Sequence, residues 1–516
     1  MLHVSNIHIC SEILIRKYKG DSTSIINAFL GLKNKRGYLY QVQNLSNALH
    51  QSLRRRENIC FNFNSLSRAL FGLEHFSSEN PETKNLLALF LERTFLDPEN
   101  ENDANPASVR RALVGLTTMC CMDSHEVRGM LSLIAEAIEI CPDDSYFSMY
   151  SMSRIFFALQ NKSSETLEVR DILSALYNKR ERMSWCEITP LSFGYVLYGF
   201  HNMSSDHIEV RKWANYFASI NFNGDVVFDK YTLGRMFYGM QNMSNVSKEG
   251  GSVPELENLL NSVMNALDHA DSKSLHCPIT IAQILYGLQR FELKNIAHIR
   301  RLEGLFASLK DIANTCQFTD KKRPVSELMS PYQSIAFLKQ QHAHLITSLS
   351  RYGVEEVIDE AFQVLGNCIQ NIISDKSFSN KKTRSASEHR LFGVVLRAVA
   401  DDNRAIVTFN DILHGFEADV VIHITGGDAE SAVKRVINLE IDGSPHLNYR
   451  TKRFCELRDK VLASHGVIVI RANLVLLSQH HRKIKDQNDE VYSIVRRALD
   501  KFGSGNKERK VIIADN

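Results

Sequence analysis

The chain has no apolar run approaching the roughly 18 residues that a membrane-spanning helix needs. It also lacks charge of one sign: 61 Lys and Arg face 59 Asp and Glu, a net +2, so any basic surface must be local. Its ten cysteines show no CxxC spacing. Cys120 and Cys121 adjoin and the rest are scattered, which excludes a disulfide framework or zinc site and reads as reduced, mostly buried thiols. No Gly-rich phosphate loop is present, since Gly250-Gly251 lie in an insert and Gly426-Gly427 lack the flanking lysine pattern. Nucleophile-elbow and zinc-protease motifs are missing too. The runs Arg54-Arg55-Arg56 and Lys321-Lys322-Arg323 read as solvated faces, and the side chains of adjacent His480 and His481 diverge. The opening MLHVSNIHICSEILIRKYKG has no signal-peptide hydrophobic region; it is poor in acids, as organellar presequences are, but lacks their Arg and Ser richness.

What is there is a repeat. At 516 residues, with 44% hydrophobic and 23% charged content, the chain is expected to form two or more globular domains. One pattern, an apolar residue, Gly, an apolar residue and two polar residues, recurs as FLGLKN, LFGLEH, LVGLTT, FFALQN, LYGFHN, FYGMQN and LYGLQR. It centres on Gly31, Gly72, Gly115, Ala158, Gly199, Gly239 and Gly287, at intervals of 41, 43, 43, 41, 40 and 48 residues. The insert Val246–Val253 explains the long last interval. Each unit reads as two helices: around Gly199, an apolar stripe of Leu191, Tyr195, Leu197 and Tyr198 is followed by SSD, which offers N-caps for a second helix over Val210–Phe217. A helical glycine costs roughly 1 kcal/mol against alanine, so its recurrence means that a neighbouring helix packs too closely for a side chain. The expected fold is mainly α, an α-solenoid of helix hairpins of about 41 residues each over 1–373.

The polar pair after each glycine carries the functional reading. In register along a solenoid, Gln160, Asn161, His201, Asn202, Gln241, Asn242, Gln289 and Arg290 can hydrogen-bond splayed bases of single-stranded RNA. The alternative is that these residues end helices and satisfy loose carbonyls. A solenoid also binds protein as readily as nucleic acid.

A polar, basic stretch follows, SDKSFSNKKTRSASEHR, read as a linker over 374–387. The pattern then becomes a helix (Glu388–Val399) and short β-rich runs, Ala405–Asp411, Ala418–Ile424, Arg435–Asp442 and Gly466–Arg471, an α/β domain over 388–500 with a flexible tail over 501–516. Strand alternation puts Glu440 and Asp442 on one face. A Gly-Ser-Pro turn, His446 and a basic helix with Arg450, Lys452, Arg453 and Arg458 come next. Carboxylates beside a histidine and cations can hold a divalent metal against a phosphodiester.

This segment resembles the RAP domain and, more distantly, the very-short-patch-repair-like group of the PD-(D/E)XK nucleases. The matching features are Glu388 at the first helix, Asp419 in ADVV, the EIDGSPH element with Glu440, Asp442, Gly443 and His446, the basic helix, and GVIVIR. Helical repeats ahead of such a domain look like organellar RNA-binding and RNA-processing proteins, mitochondrial ones included, and the repeats are similar in layout to octotricopeptide units. The resemblance implies a small restriction-endonuclease-like domain and a role in RNA processing, maturation or stability, with RNA as partner and no membrane or small-molecule substrate. It also implies a possible nuclease site: Asp419, Glu440 and Asp442 binding Mg²⁺, His446 as general base or phosphate contact, Arg453 and Arg458 beside the scissile phosphate. The sequence departs from the superfamily at Asp442, where a lysine is usual, and in the TGGDAESAVK insertion before Glu440. In the alternative, the carboxylates pair with those arginines, His446 caps the turn, and the domain only binds.

Overall fold

A computed structural model describes residues 22–33, 40–55, 58–78, 80–96, 103–119, 124–142, 145–183, 188–220, 226–271, 274–319, 325–340, 343–374, 386–400, 405–413, 416–424, 435–442, 459, 462–463, 466–473, 484–503 and 512–513. The protein is mainly helical and separates into two compact units, 1–309 with 342–358 and 310–341 with 359–516.

The first unit is built of helix hairpins. Its first helices are Ser22–Leu30, Phe63–Gly72, Pro106–Gly115, Met149–Ala158, Pro190–Tyr198, Lys230–Gly239 and Pro278–Gly287. Its second helices are Tyr40–Arg54, Pro81–Arg93, His125–Ile140, Leu167–Asn178, Ile208–Ala218 and Pro254–Asn265, and Ile296–Thr319 continues that row. Each first helix packs on the next first helix, and second helices pack on one another likewise. Five first helices open on Asn62, Asn105, Ser148, Thr189 or Asp229, whose side-chain oxygen accepts the N–H three residues on. The SSD segment does not cap as expected. The helix Ile208–Ala218 has His207 as its N-cap with no side-chain bond, because Ser204 Oγ turns back to Asp206 (2.9 Å).

The glycine contact is as the repeat implies, and its partner is backbone. A Cβ at Gly72 would lie 1.9 Å from the Phe29 carbonyl oxygen, at Gly115 2.2 Å from that of Leu70, at Gly199 2.0 Å from Phe156, at Gly239 2.0 Å from Leu197 and at Gly287 2.0 Å from Phe237. Each carbonyl sits two residues before the repeat residue of the preceding unit. Gly31 meets only its own turn, Ala28 O at 3.2 Å.

The other end of several hairpins is closed by parallel pairing of the residue entering the first helix with the one leaving the second. The short strand β1 (Phe61–Asn62) pairs with β2 (Thr94–Phe95), and single bridges join Phe147 to Met183 and Phe228 to Ala270. The insert Val246–Val253 is an ordered turn: Val246 bridges Ser252, and Gly250 adopts φ +83°, open to glycine without strain.

Helices Val325–Gln340 and Glu355–Ser374 belong largely to the second unit, where they pack on each other through stacked Tyr332 and Phe362 (4.5 Å). Of the expected linker only Ser374, Ala386 and Ser387 are described. Further on, a five-stranded sheet runs β3 (Ala405–Leu413), β4 (Phe416–Ile424), β5 (Arg435–Asp442), β6 (Val467–Asn473) and β7 (Ile512–Ile513) in spatial order. The first three strands are antiparallel neighbours; β5, β6 and β7 pair in parallel. Val420, Ile422, Ile437, Leu439 and Ile470 share one core with Val394 and Val395 of helix Ala386–Val399 and Val491 and Val495 of helix Ile484–Gly503. On the alternate face Val421, Asn438, Glu440 and Val469 are buried too, so the central strands are covered on both sides. No described helix is long and apolar enough to cross a membrane.

Candidate nucleic-acid interface

The polar pairs do not line an open surface, which corrects their assignment to RNA readout. Asn161 Nδ2 donates to Thr117 O (2.7 Å), Asn202 Nδ2 to Gln160 O (2.8 Å), and Gln289 Nε2 to Gln241 O (2.9 Å). Gln241 Nε2 and Asn242 Nδ2 both reach His201 O, at 3.0 and 2.7 Å. His201 is 3% exposed, its Nδ1 2.9 Å from Tyr198 O, and Gln160, Asn161, Asn202 and Gln241 are buried. The cause lies in helix chemistry. The turn that closes each first helix leaves Thr117 O, Gln160 O, His201 O and Gln241 O outside the helical ladder, and the glycine contact brings the next repeat within side-chain reach. Lys162, 0% exposed, does the same with its ammonium on Leu116 O (2.6 Å) and Met119 O. Arg290 alone of these positions is exposed, and it makes no ion pair among the described residues.

Asn202→Ala is therefore expected to lower stability by about 1–3 kcal/mol, the cost of a buried carbonyl left without a donor, and to leave nucleic-acid affinity unchanged well below the melting temperature. Urea unfolding and a binding titration on the same preparation would check both halves.

What the first helices turn outward lies four and one residues before each glycine, and eight before, which is one i, i+4, i+7 helical stripe. The fourth-before register holds Arg68, Arg111, Arg154 and Arg235, with Asn27, Tyr195 and Gln283 in the other repeats. The residues directly before the glycine make a half-buried aromatic ladder. Phe157 stacks on Tyr198 (5.7 Å), Tyr198 on Tyr238 (5.7 Å) and Tyr238 on Tyr286 (5.8 Å), with planes 20–23° apart. A base inserted between two rings needs twice the roughly 3.4 Å stacking step, so the ladder is closed to intercalation. In the eighth-before register Tyr150 and Tyr231 stand 63% and 62% exposed. Cations lie over these rings: Arg235 over Tyr195 (4.5 Å), Arg110 over Tyr150 (5.1 Å), Lys230 over Tyr231 (5.0 Å) and Lys33 over Phe71 (4.1 Å).

None of the seven first helices contains an Asp or Glu. The second helices from Pro81–Arg93 onward all do. Titration follows that division. Burial, then Arg110 and Arg68, hold the Arg111 guanidinium below its ordinary value. Burial, then the carboxylates of Glu168, Glu139 and Glu209, push the Asp171 carboxyl up. One helix row is thus cationic and aromatic, the other carries the acids.

In the second unit, pairing of Val420 with Leu439 places Asp419 and Glu440 as the next residues outward on β4 and β5, and Glu440 pairs with Arg471 on β6. Glu440 is 2% exposed and its Oε1 accepts Asn438 Nδ2 (2.8 Å). Asp442 pairs with Asn473 in the β5–β6 register. The side chains of Asp419 and Asp442, and the whole of His446, Arg453 and Arg458, lie outside what is described. Among the described residues no group of three His, Cys, Asp or Glu side chains suits a metal ion. No protein-family model matches the chain, and no curated protein is similar enough to count as a relative.

Proposed function

We propose that the protein binds single-stranded RNA along the row of first helices and acts in RNA processing, maturation or stability. The observation that carries this reading is the segregation of charge: seven consecutive first helices without one carboxylate, bearing in-register arginines and exposed tyrosines. Guanidinium groups and rings in alternation suit a phosphate backbone and the π-faces of unpaired bases. Because the variable polar pairs are engaged internally, recognition tolerates sequence, with no base-per-repeat code. The β3–β7 sheet, an antiparallel meander followed by parallel strands packed on helices Ala386–Val399 and Ile484–Gly503, supports the resemblance of the C-terminal segment to RAP domains.

Fluorescence anisotropy with two unrelated single-stranded RNAs tests the reading. Both are expected to bind within a few-fold of each other, with affinity falling as salt rises by a slope of roughly −0.7 per phosphate neutralised. Affinity no greater than for a neutral polymer would end it.

A second reading, an endonuclease, is favoured by the row Asp419, Glu440, Arg471 across β4, β5 and β6. It expects Mg²⁺- or Mn²⁺-dependent cleavage of labelled RNA that disappears in Glu440→Gln. Cleavage surviving that substitution, or none with either metal, removes it.

A further inference from the structure

We propose that Arg68, Arg110 and Arg111 form the anchoring clamp of this face, a site for a phosphodiester or other multivalent phosphate oxyanion. The proposal rests on the nucleic-acid reading above and locates its strongest contact in the second and third repeats.

The three guanidinium groups come from two adjacent first helices. Neutral oxygens hold two of them in place without cancelling their charge: Arg111 Nη2 donates to Asn64 Oδ1 (2.7 Å), Arg111 Nε to Ser67 Oγ (3.3 Å), and Arg68 Nη2 to Asn27 Oδ1 (3.1 Å). Arg110 lies over the Tyr150 ring, and its Nε is buried with no hydrogen-bond partner. The neighbouring Asp103 carboxylate is engaged by the backbone N–H of Asn64 (2.8 Å). None of the three arginines takes part in an ion pair among the described residues, whereas Arg301 is bound to Asp268 and Arg351 to Glu292 (2.6 Å).

Like charges gathered in a half-buried cluster disfavour one another: burial first, and then Arg110 and Arg68, lower the proton affinity of Arg111. Such a cluster weakens the free protein and is relieved when an anion arrives. Guanidinium forks match phosphate oxygens two N–H groups at a time, which lysines cannot do. Arg154, one repeat beyond Arg111 in the same register, lies over the Phe157 ring (5.8 Å), and Arg235 is set apart from it by the Tyr195 repeat.

Stability and binding should therefore respond in opposite directions. In the full chain, Arg68→Gln and Arg110→Gln are each expected to weaken RNA binding roughly ten-fold. Without nucleic acid, each variant should melt no lower than the wild type at low salt. Inorganic pyrophosphate should raise the melting temperature of the wild type more than that of Arg110→Gln, compared at equal ionic strength. Arg301→Gln, at the paired Asp268 site, should leave RNA affinity unchanged. If both variants bind RNA as the wild type does and pyrophosphate shifts all proteins equally, the clamp is wrong, and RNA binding then rests on the other arginines of the face. If RNA does not bind at all while the pyrophosphate shift still depends on Arg110, the clamp stands and the RNA reading falls.

Discussion

Gly239→Ala is expected to destabilise the repeat array by about 2–3 kcal/mol, the range for forcing a methyl group into a filled interface. Helix propensity alone gives the opposite sign, because alanine is better than glycine in a helix interior by roughly 1 kcal/mol. Packing wins because the new Cβ would sit 2.0 Å from Leu197 O, 2.4 Å from its carbonyl carbon and 2.9 Å from Tyr198 N, all backbone atoms with no rotamer to yield. Gly304, in helix Ile296–Thr319, is the internal control: nothing lies within 4 Å of its Cβ position, so Gly304→Ala should stabilise by roughly 0.5–1 kcal/mol. Urea midpoints followed by circular dichroism decide the matter. A Gly239→Ala protein as stable as the wild type would mean that the helices are not held at backbone contact.

The second large effect concerns binding. Neutralising one register of the cationic face, Arg68→Gln, Arg111→Gln, Arg154→Gln and Arg235→Gln together, should lower affinity for single-stranded RNA by about two to three orders of magnitude at low salt. If each arginine meets one phosphate, the log–log salt slope should become shallower by about 3, four times the roughly 0.7 released per single-strand phosphate. All four side chains lie on the outward stripe of their helices, so the circular dichroism spectrum should not change. Unaltered affinity in a folded quadruple variant would exclude this face as the interface.

Much of the architecture was legible in the sequence because it rests on period and spacing. Seven repeat residues at near-constant intervals placed the hairpins, and β3 to β6 fall within a few residues of their apolar runs, whereas β7 lies in the segment read as a tail. Strand Arg435–Asp442 agrees at both ends. The polar pairs were misread because an amide that caps a carbonyl and an amide that faces solvent look alike in sequence. Its partner is about 42 residues away, as Asn202 is from Gln160 O, and only the approach of the two backbones decides the outcome. The arginine stripe had a signal: counting back four from each glycine finds four arginines in seven repeats. It passed unnoticed because those arginines are embedded in apolar helices, where residues at helical spacing read as core.

The amide ladder also gives the array a chemical direction. The amides that follow the repeat residue donate backwards, Asn161 to Thr117 O, Asn202 to Gln160 O, Gln241 and Asn242 to His201 O and Gln289 to Gln241 O, while Ser205 and Ser244 donate forwards, to Ser244 O and Arg290 O. Removing units from the N-terminal side takes away only the recipients of this amide ladder. Shortening from the C-terminal side strands the ladder's acceptors at every cut, so the amide bonds alone make the two ends of the array unequal.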